Sequence, residues 1–450
     1  MEHYTTFKVE FKKFLEACVT AQHTVDYTAG ILDERGFVKL SPTCNEWELE
    51  PGKSYYMVSH ESTLFAWKMP LEFGNGSCRL IGSAAHIDSP NLRVKPVQAS
   101  ASNGYNTLNV DKYGGILWSR FLDTVMGCAG TLYRVVDGKV VPELFKIEDA
   151  AILPSLAIHL ERKPEYDGMN CIPIVSTEAA LKPAEDATDD EKKEYLNGLV
   201  LELLKKEGID TENVVEIDAQ LYSQAPTKVL RFDDIITSPR LDDLCCAFPA
   251  LQSLFDTNAH ATDVTMMCFF DNEEVGSRTL NGAYTAVFRH LLDRLVAALG
   301  VDRFNFCNRS LIASMDVLQA THPGFKDKSD PVHTGNLGKG LTIPWSPAMH
   351  SGNTGMSLAL LKRCIELYNE GEPEISIEYL HFTNRNVGSG GATMTTGLGA
   401  FNGIEMVEFG PMLLGMHSTV ETGHVRDIYN VYQLMNAVVR FSKDIKVNSD

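Results

Sequence analysis

Short apolar runs alternate along the chain with stretches in which apolar residues recur at helical spacing. The runs are typical of buried β-strands, and the spaced stretches are typical of amphipathic helices. Strands are predicted at residues 54–58, 78–85, 264–270, 311–315, 375–382 and 412–416, and helices at residues 7–18, 284–299, 357–367 and 428–441. This alternation predicts an α/β fold with a central mixed β-sheet flanked by helices.

The middle of the chain has a different pattern, which predicts a smaller domain. Residues 131–141 form a predicted β-hairpin, because Asp137-Gly138 suits the positive φ angles of a tight turn. Another strand is predicted at residues 151–160, and a charged helical stretch ends at Gly208. We therefore expect a larger domain made of residues 1–94 and 233–450, interrupted by an inserted β-rich domain at residues 95–232.

An acidic segment follows the apolar run at residues 264–270. Ligands bind at the carboxyl ends of strands in open α/β sheets, and Glu273 and Glu274 stand at such an end. Two adjacent buried glutamates require a cation, a raised pKa, or both. The ordinary alternative is a solvated loop, which the pair alone favours.

Other metal-ligand residue types occupy similar positions. His86, Asp316 and His417 end predicted strands, and Asp242 lies in a turn before a predicted helix. Each has an ordinary interpretation, such as a hydrogen-bonded histidine in a turn or a carboxylate at a helix N-terminus. Asp88, two residues beyond His86, is placed to orient the imidazole of that ligand. Together these residues predict a site for Zn²⁺, Co²⁺ or Mn²⁺.

Composition limits the classes of partner. The formal net charge of −19 and the pI near 5.1 argue against binding to nucleic acid or to an anionic membrane. The ten cysteines are scattered without a CxxC pair, which indicates a reducing cytoplasm. No export signal or membrane anchor is visible in the sequence. An acidic substrate would need a locally positive site on this acidic protein.

Several motifs resemble the aspartyl aminopeptidase family of dinuclear zinc metallopeptidases, in order and spacing over nearly the full length. They are His86-Ile87-Asp88-Ser89-Pro90, Leu92-Arg93-Val94-Lys95-Pro96, Tyr113-Gly114-Gly115-Ile116-Leu117-Trp118, Leu156-Ala157-Ile158-His159-Leu160, Ser238-Pro239-Arg240-Leu241-Asp242, Asp271-Asn272-Glu273-Glu274-Val275-Gly276-Ser277, Asp316 with His322-Pro323, and Met416-His417-Ser418. The resemblance implies a zinc-exopeptidase-like fold, with a catalytic domain interrupted by a domain for oligomerisation and substrate access.

The resemblance also implies a ligand set for two divalent ions in each chain. His86 and Asp316 would hold one ion, Glu274 and His417 would hold the other, and Asp242 would bridge both. Zn²⁺ is the first expectation, with Co²⁺ or Mn²⁺ as alternatives.

Two catalytic roles follow from the same resemblance. Glu273 would act as the general base on a metal-activated bridging water, and Asp88 would orient His86. Paired cations would also explain how two adjacent glutamates remain ionised in one buried segment.

Three further residues are implied to contact substrate. His159, in the inserted domain, would reach a neighbouring subunit's active site, which implies a homo-oligomer, with a dodecamer built from dimers as one form. From the sequence alone, a buried core histidine is the simpler interpretation of His159. His322 and Lys339 resemble substrate-pocket residues, and Lys339 would supply positive charge for an acidic first residue.

The departures from the family pattern concern the substrate pocket. Gln319 stands where the family usually has a second histidine, and Ser346-Pro347-Ala348-Met349-His350 replaces its Gln-Arg-Tyr segment. The loop Arg385-Asn386-Val387-Gly388-Ser389 lacks the family's usual Asp and Cys. The predicted metal ligands are all present.

We therefore expect a cytoplasmic, oligomeric metalloaminopeptidase that removes N-terminal Asp or Glu from peptides. One alternative is the same chemistry on another substrate, as in a neutral-residue aminopeptidase or a deacylase. A second alternative is an inactive shell that serves assembly or peptide binding, which the complete ligand set disfavours.

Overall fold

A seven-stranded sheet forms the centre of the larger domain. The computed structural model describes residues 2–74, 76–181, 186–385 and 393–442. In spatial order the strands are β1 (Val38–Leu40), β2 (Ser54–Ser59), β3 (Thr63–Lys68), β13 (Val264–Phe270), β4 (Leu80–His86), β14 (Leu311–Met315) and β18 (Glu405–Phe409). Strands β13, β4, β14 and β18 are parallel, whereas β3 is antiparallel to β13. The prediction of a central mixed sheet is confirmed.

Helices cover both faces of this sheet. One face packs against α1 (Glu2–Ala17), α2 (Ala21–Glu34), α5 (Leu241–Asp256), α8 (Gly355–Glu370) and α10 (Val425–Phe441). The other face packs against α6 (Ala286–Leu299), α7 (Arg303–Arg309) and α9 (Thr395–Asn402). Side chains of a strand alternate between faces, so Met267 and Phe269 of β13 join the first core while Met266 and Phe270 join the second. Burial on both faces explains why the central strands read as continuous apolar runs.

The middle of the chain forms a closed six-stranded barrel. Its strands, in order around the barrel, are β10 (Val214–Ser223), β5 (Asn91–Ser102), β6 (Tyr105–Tyr113), β9 (Ile174–Thr177), β8 (Lys139–Ile152) and β7 (Val125–Val136). Asp137 and Gly138, both with positive φ, make the predicted β7–β8 turn. Helices α3 (Asp189–Asn197) and α4 (Leu199–Lys206) follow β9 in the chain. Strand β5 runs across the predicted boundary at residue 94. The division of the chain at residues 94 and 232 stays a prediction.

Three short sheets of the described residues lie around the carboxyl edge of the central sheet. They are β11 (Lys228–Val229) and β12 (Ile235–Ser238) with β20 (Glu421–His424), β15 (Leu318–Gln319) with β19 (Met412–Leu413), and β16 (Leu341–Pro344) with β17 (Tyr379–Phe382). Strands β15 and β19 directly follow β14 and β18 in the chain, which places them at the same edge. The strands predicted at residues 375–382 and 412–416 are therefore shorter in the structure than the apolar pattern indicated.

Two general expectations can be compared with the whole described chain. All ten cysteines are free and nine are buried, so the scattered thiols pack as small apolar side chains. Within the described residues, no helix is long and apolar enough to cross a bilayer.

Candidate active site

Parallel strands bring the predicted ligands from distant parts of the chain to one edge of the sheet. His86 ends β4 and pairs in register with Phe270, the last residue of β13. Glu273 and Glu274 begin a short 3-10 turn just beyond Phe270. Asp316 directly follows β14, which pairs with β4 on its other side. The carboxyl ends of these strands therefore gather an imidazole and three carboxylates.

Asp242 lies between two imidazoles. Its Oδ1 is 3.2 Å from His86 Nε2, and its Oδ2 is 3.2 Å from His417 Nε2. His86 Nε2 is also 3.9 Å from Asp316 Oδ1, and His417 Nε2 is 3.4 Å from Glu274 Oε1. All five predicted metal-ligand residues thus belong to one cluster.

Main-chain carbonyls orient both imidazoles. His86 Nδ1 donates to the carbonyl of Asp88 at 3.0 Å, and His417 Nδ1 donates to the carbonyl of Gly115 at 2.9 Å. A carbonyl only accepts, so these contacts place a ring proton on Nδ1 in both histidines. In the metal-free protein the protonated Nε2 of each ring faces a carboxylate oxygen of Asp242. A bound metal ion would take the place of that proton on Nε2.

The Asp88 carboxylate fixes the acidic turn. Its Oδ1 accepts the Glu273 N–H and its Oδ2 accepts the Glu274 N–H, each at 3.1 Å. Oδ2 also accepts the Tyr113 hydroxyl at 2.7 Å, and Oδ1 lies 3.4 Å from His86 Nδ1. The Asp88 carboxylate therefore lies beside His86 and holds the main chain of both glutamates, and its orienting role on His86 stays a prediction.

Glu421 holds the main chain at the opposite side of the cluster. Its Oε2 accepts the Asp242 N–H at 2.9 Å, and its Oε1 accepts the His417 N–H at 2.7 Å. Helix α5 is kinked at Asp242 and Asp243, where the backbone angles are not helical. Both ligand-bearing segments are thus tied to one buried carboxylate.

Burial of so many carboxylates perturbs their protonation. Burial raises the pKa of Glu273 to about 7 and raises the pKa of Glu274 and Asp316 well above the ordinary range. Burial would also raise the pKa of Asp242, but hydrogen bonds from His417 and His86 lower it instead. A cluster with this much unneutralised acid is a strong candidate for a cation site.

Two acidic groups lack hydrogen-bond partners among the described residues. They are Oε1 of Glu274 and both carboxylate oxygens of the fully buried Asp243. Ligand atoms of His86, Asp242 and Glu274 lie within 4.8 Å of one another, as do those of His86, Asp243 and Asp316. A metal ion would satisfy these buried carboxylate oxygens, which have no hydrogen-bond donor. Imidazole nitrogens and carboxylate oxygens are zinc ligands, so the donor set fits zinc.

A family model described as the aminopeptidase I zinc metalloprotease (M18) family matches residues 14–438 of the chain. The chain belongs to this M18 family. It is 30% identical over 443 residues to the probable M18 family aminopeptidase 2 of Clostridium novyi, covering 95% of the chain and 97% of that relative. It is 28% identical over 495 residues to the aspartyl aminopeptidase of Dictyostelium discoideum, with both proteins fully covered.

The fold agrees with this M18 assignment. The solved structure of the S. cerevisiae mApe1 dodecamer matches with a TM-score of 0.81 and 22% identity, covering 99% of the chain and 98% of that structure's chain. The family model and the relatives confirm the resemblance to the aspartyl aminopeptidase family, and the chain is a zinc metalloaminopeptidase by family.

The ligand cluster of this M18 chain opens into a cavity of about 460 Å³. His86, Asp242, Glu273, Glu274, Asp316 and His417 all line it. The three predicted substrate residues, His159, His322 and Lys339, are exposed and are absent from the described lining. Gln319 does line the cavity, where its amide donates to Asn384 at 3.0 Å. Val387 and its loop, residues 386–392, lie outside the described residues.

Three residues at the M18 site escaped the sequence reasoning. The sequence indicates Tyr113 only as part of a motif, and it singles out neither Glu421 nor Asp243. Their contacts join the barrel, β20 and the α5 kink to the ligands, and no local pattern encodes such long-range contacts. A usable signal for Asp243 was its position beside Asp242 in an otherwise apolar segment.

Proposed function

We propose that the protein is a dinuclear zinc aminopeptidase that hydrolyses the N-terminal bond of peptides. The observation that carries this proposal is the position of Asp242, whose two carboxylate oxygens each lie 3.2 Å from a different imidazole Nε2. A carboxylate shared between two nitrogen ligands suits a bridge between two cations.

The remaining donors divide between two ions. His86 with Asp316 would hold one ion and His417 with Glu274 would hold the other. Asp243 is a further oxygen donor near the first pair. Two bound zinc ions would lower the pKa of a shared water and polarise the scissile carbonyl.

Glu273 is the proposed general base. It lines the cavity beside the ligands, and its N–H is fixed by Asp88 at 3.1 Å. Burial raises its pKa to about 7 in the metal-free protein, and bound cations would lower that pKa and favour the ionised carboxylate that a base requires. Glu273 would accept the proton of the attacking water and pass it to the leaving amine.

The expected preference for N-terminal Asp or Glu is supported by the name of the Dictyostelium relative. The described cavity gives it less support, because neither Lys339 nor His322 lines the wall. This observation favours the neutral-residue aminopeptidase as a second candidate. The deacylase and the inactive shell have no comparable support.

We also propose a homo-oligomer in which His159 reaches a neighbouring subunit's site. His159 lies in an exposed turn between Ile158 and Leu160, which are 72% and 75% exposed. Exposed apolar side chains of this kind commonly mark an interface, and the S. cerevisiae mApe1 structure is described as a dodecamer. The cytoplasmic location stays a prediction.

The test combines metal analysis with a peptide panel. The purified protein should bind about two zinc ions per chain, the number expected for a paired site, and should release the first residue from free peptides. Their N-acetylated counterparts should remain intact. A single ion in the fully active enzyme would contradict the bridge, and cleavage only of N-acetylated peptides would favour the deacylase.

A further inference from the structure

We propose a further metal site, formed by Asp243, Cys245 and Cys246, that takes a thiophilic ion such as Cd²⁺. One ligand atom from each of these residues lies within 4.8 Å of the other two. The described residues bring together three such groups of metal-ligand side chains, and this group alone contains thiols. The site adjoins the proposed zinc pair but does not depend on peptide hydrolysis, so it can be tested separately from the aminopeptidase activity.

The kink of α5 brings the three side chains together. Asp243 stands at the kink, where its backbone angles are not helical, and Cys245 and Cys246 follow it in the same helix. Bonds from zinc to sulfur and to oxygen are about 2.3 Å and 2.1 Å long. Ligand atoms no more than 4.8 Å apart can therefore share one ion of that size or slightly larger.

Asp243 has unused capacity as a ligand. It is fully buried, and neither of its carboxylate oxygens has a hydrogen-bond partner among the described residues. The group with His86 and Asp316 uses one ligand atom of Asp243, and so does the group with the two thiols. Because a carboxylate has two oxygens, Asp243 can contact one ion in each group. Zinc bound beside His86 would not exhaust its capacity.

The charges of the proposed zinc pair leave room for another cation. Five carboxylates of the ligand cluster, once ionised, carry one negative charge more than two zinc ions neutralise. They are Asp242, Asp243, Glu273, Glu274 and Asp316. A divalent ion at the thiol group would replace the protons of both thiols, which pass to the solvent. The net charge of this buried region is then unchanged by binding.

The donors favour an ion that is softer than zinc. Thiolates select soft metals, whereas the proposed zinc ligands are imidazoles and carboxylates. Structural zinc sites almost always have four ligands, and the described residues offer three in this group. We therefore expect zinc to fill the imidazole–carboxylate positions and Cd²⁺ to occupy the thiol group as well.

An ion reaches the thiol group by way of the active-site cavity. Cys245 and Cys246 are fully buried and belong to the core on the α5 face of the sheet. His86 and Asp316 line the cavity, and their ligand atoms lie within 4.8 Å of one from Asp243. The proposed first zinc position therefore stands on the approach to the thiols, and zinc bound there should slow the entry of Cd²⁺.

The first experiment titrates the metal-free protein with Cd²⁺. Equilibrium dialysis should give about three ions per chain, two at the paired positions and one at the thiol group. Ultraviolet charge-transfer absorption from thiolate to cadmium should appear with the third ion, and cadmium NMR should show one ion with sulfur ligands. If no ion acquired sulfur ligands, the proposal would be wrong.

Substitutions identify the thiols that bind. Cys245→Ala with Cys246→Ala should abolish the sulfur-bound signal and lower the stoichiometry by one ion. Cys364→Ala, at a buried thiol of α8, is the matched control and should change neither. Cys44→Ser, which removes an exposed thiol, should also retain the signal. Persistence of the signal in the double variant, or its loss in Cys44→Ser, would contradict the proposed site.

The order of addition tests the site even if the double variant does not fold. The Cys44→Ser protein is treated with Cd²⁺ either metal-free or after zinc has been added. With free zinc at about ten times its dissociation constant, only about a tenth of the first positions are empty, so thiolate absorption should appear about tenfold more slowly. Equal rates would place the reacting thiol away from the zinc position and overturn the proposal.

Discussion

The Tyr113 hydroxyl donates to Asp88 Oδ2 at 2.7 Å and so joins the barrel to the ligand cluster. Tyr113 is the last residue of β6, whereas Asp88 follows β4 of the central sheet. The same phenol accepts from Asn272 Nδ2 at 2.8 Å, just before the glutamate pair. One barrel residue therefore contacts both segments that position the proposed base and its neighbour.

Tyr113→Phe removes this donor with little change of shape. Partners that orient metal ligands commonly contribute about 10- to 100-fold in metal affinity, so we expect roughly tenfold weaker zinc retention against a chelator. Tyr105→Phe, at the exposed start of the same strand, is the matched control. Equal zinc retention in both variants would contradict a positioning role for Tyr113.

Glu273→Gln should separate metal binding from proton transfer. Loss of a general base costs about 10²- to 10⁴-fold in rate, so kcat should fall by at least about 100-fold while the zinc content is unchanged. Glu274→Gln, one residue away, should lose zinc because it removes a proposed ligand. If Glu273→Gln also lost its zinc, the two roles would have been assigned incorrectly.

Glu421→Gln should loosen both ligand-bearing segments. The carboxylate accepts the Asp242 and His417 N–H groups, whereas an amide offers only one acceptor oxygen. Leaving one buried donor unsatisfied costs about 1–3 kcal/mol. The thermal midpoint and the zinc affinity should therefore both fall. Glu366→Gln, on the exposed face of helix α8, is the control and should change neither.

The central sheet and the gathering of its strand ends were predictable from the sequence. Continuous apolar runs such as 264–270 report burial on both faces, and parallel strands place their carboxyl ends together regardless of what lies between them in the chain. His86 and Asp316 could be expected at one edge for that reason. The specific ligand roles came from the family resemblance rather than from the pattern.

The wall of the cavity was less predictable because part of it lies on loops. The family resemblance implies a pocket role for Lys339, which stays a prediction; its side chain is exposed, and Pro344 and Trp345 further along the chain line the cavity. Loop direction depends on tertiary contacts, such as the Asp427 carboxylate that binds the N–H groups of Gly338 and Gly340. No local pattern reports those contacts.

Zinc affinity should fall as the pH is lowered. Burial alone would lower the pKa of His86, but Asp242 and Asp88 outweigh it and raise that pKa well above the ordinary value in the metal-free protein. A raised imidazole pKa means that protons occupy the ligand below it and compete with zinc. Chelator competition between about pH 5 and pH 8, the range in which histidines usually titrate, should show affinity rising with pH. A flat profile would contradict ligation by His86.

Substitutions in the exposed turn at residues 158–160 can test both the assembly and the proposed role of His159 in a neighbouring subunit's site. Ile158→Ser with Leu160→Ser removes two exposed apolar side chains, so light scattering should show a smaller particle. Val332→Ser, at a position 79% exposed elsewhere on the protein, should not change the mass.

His159→Ala should keep the mass and lose activity. Co-expression with Glu273→Gln should then restore about a quarter of the wild-type activity, because half of randomly paired dimers are mixed and each mixed dimer has one intact site. No recovery in mixed particles would place His159 outside the neighbouring subunit's site.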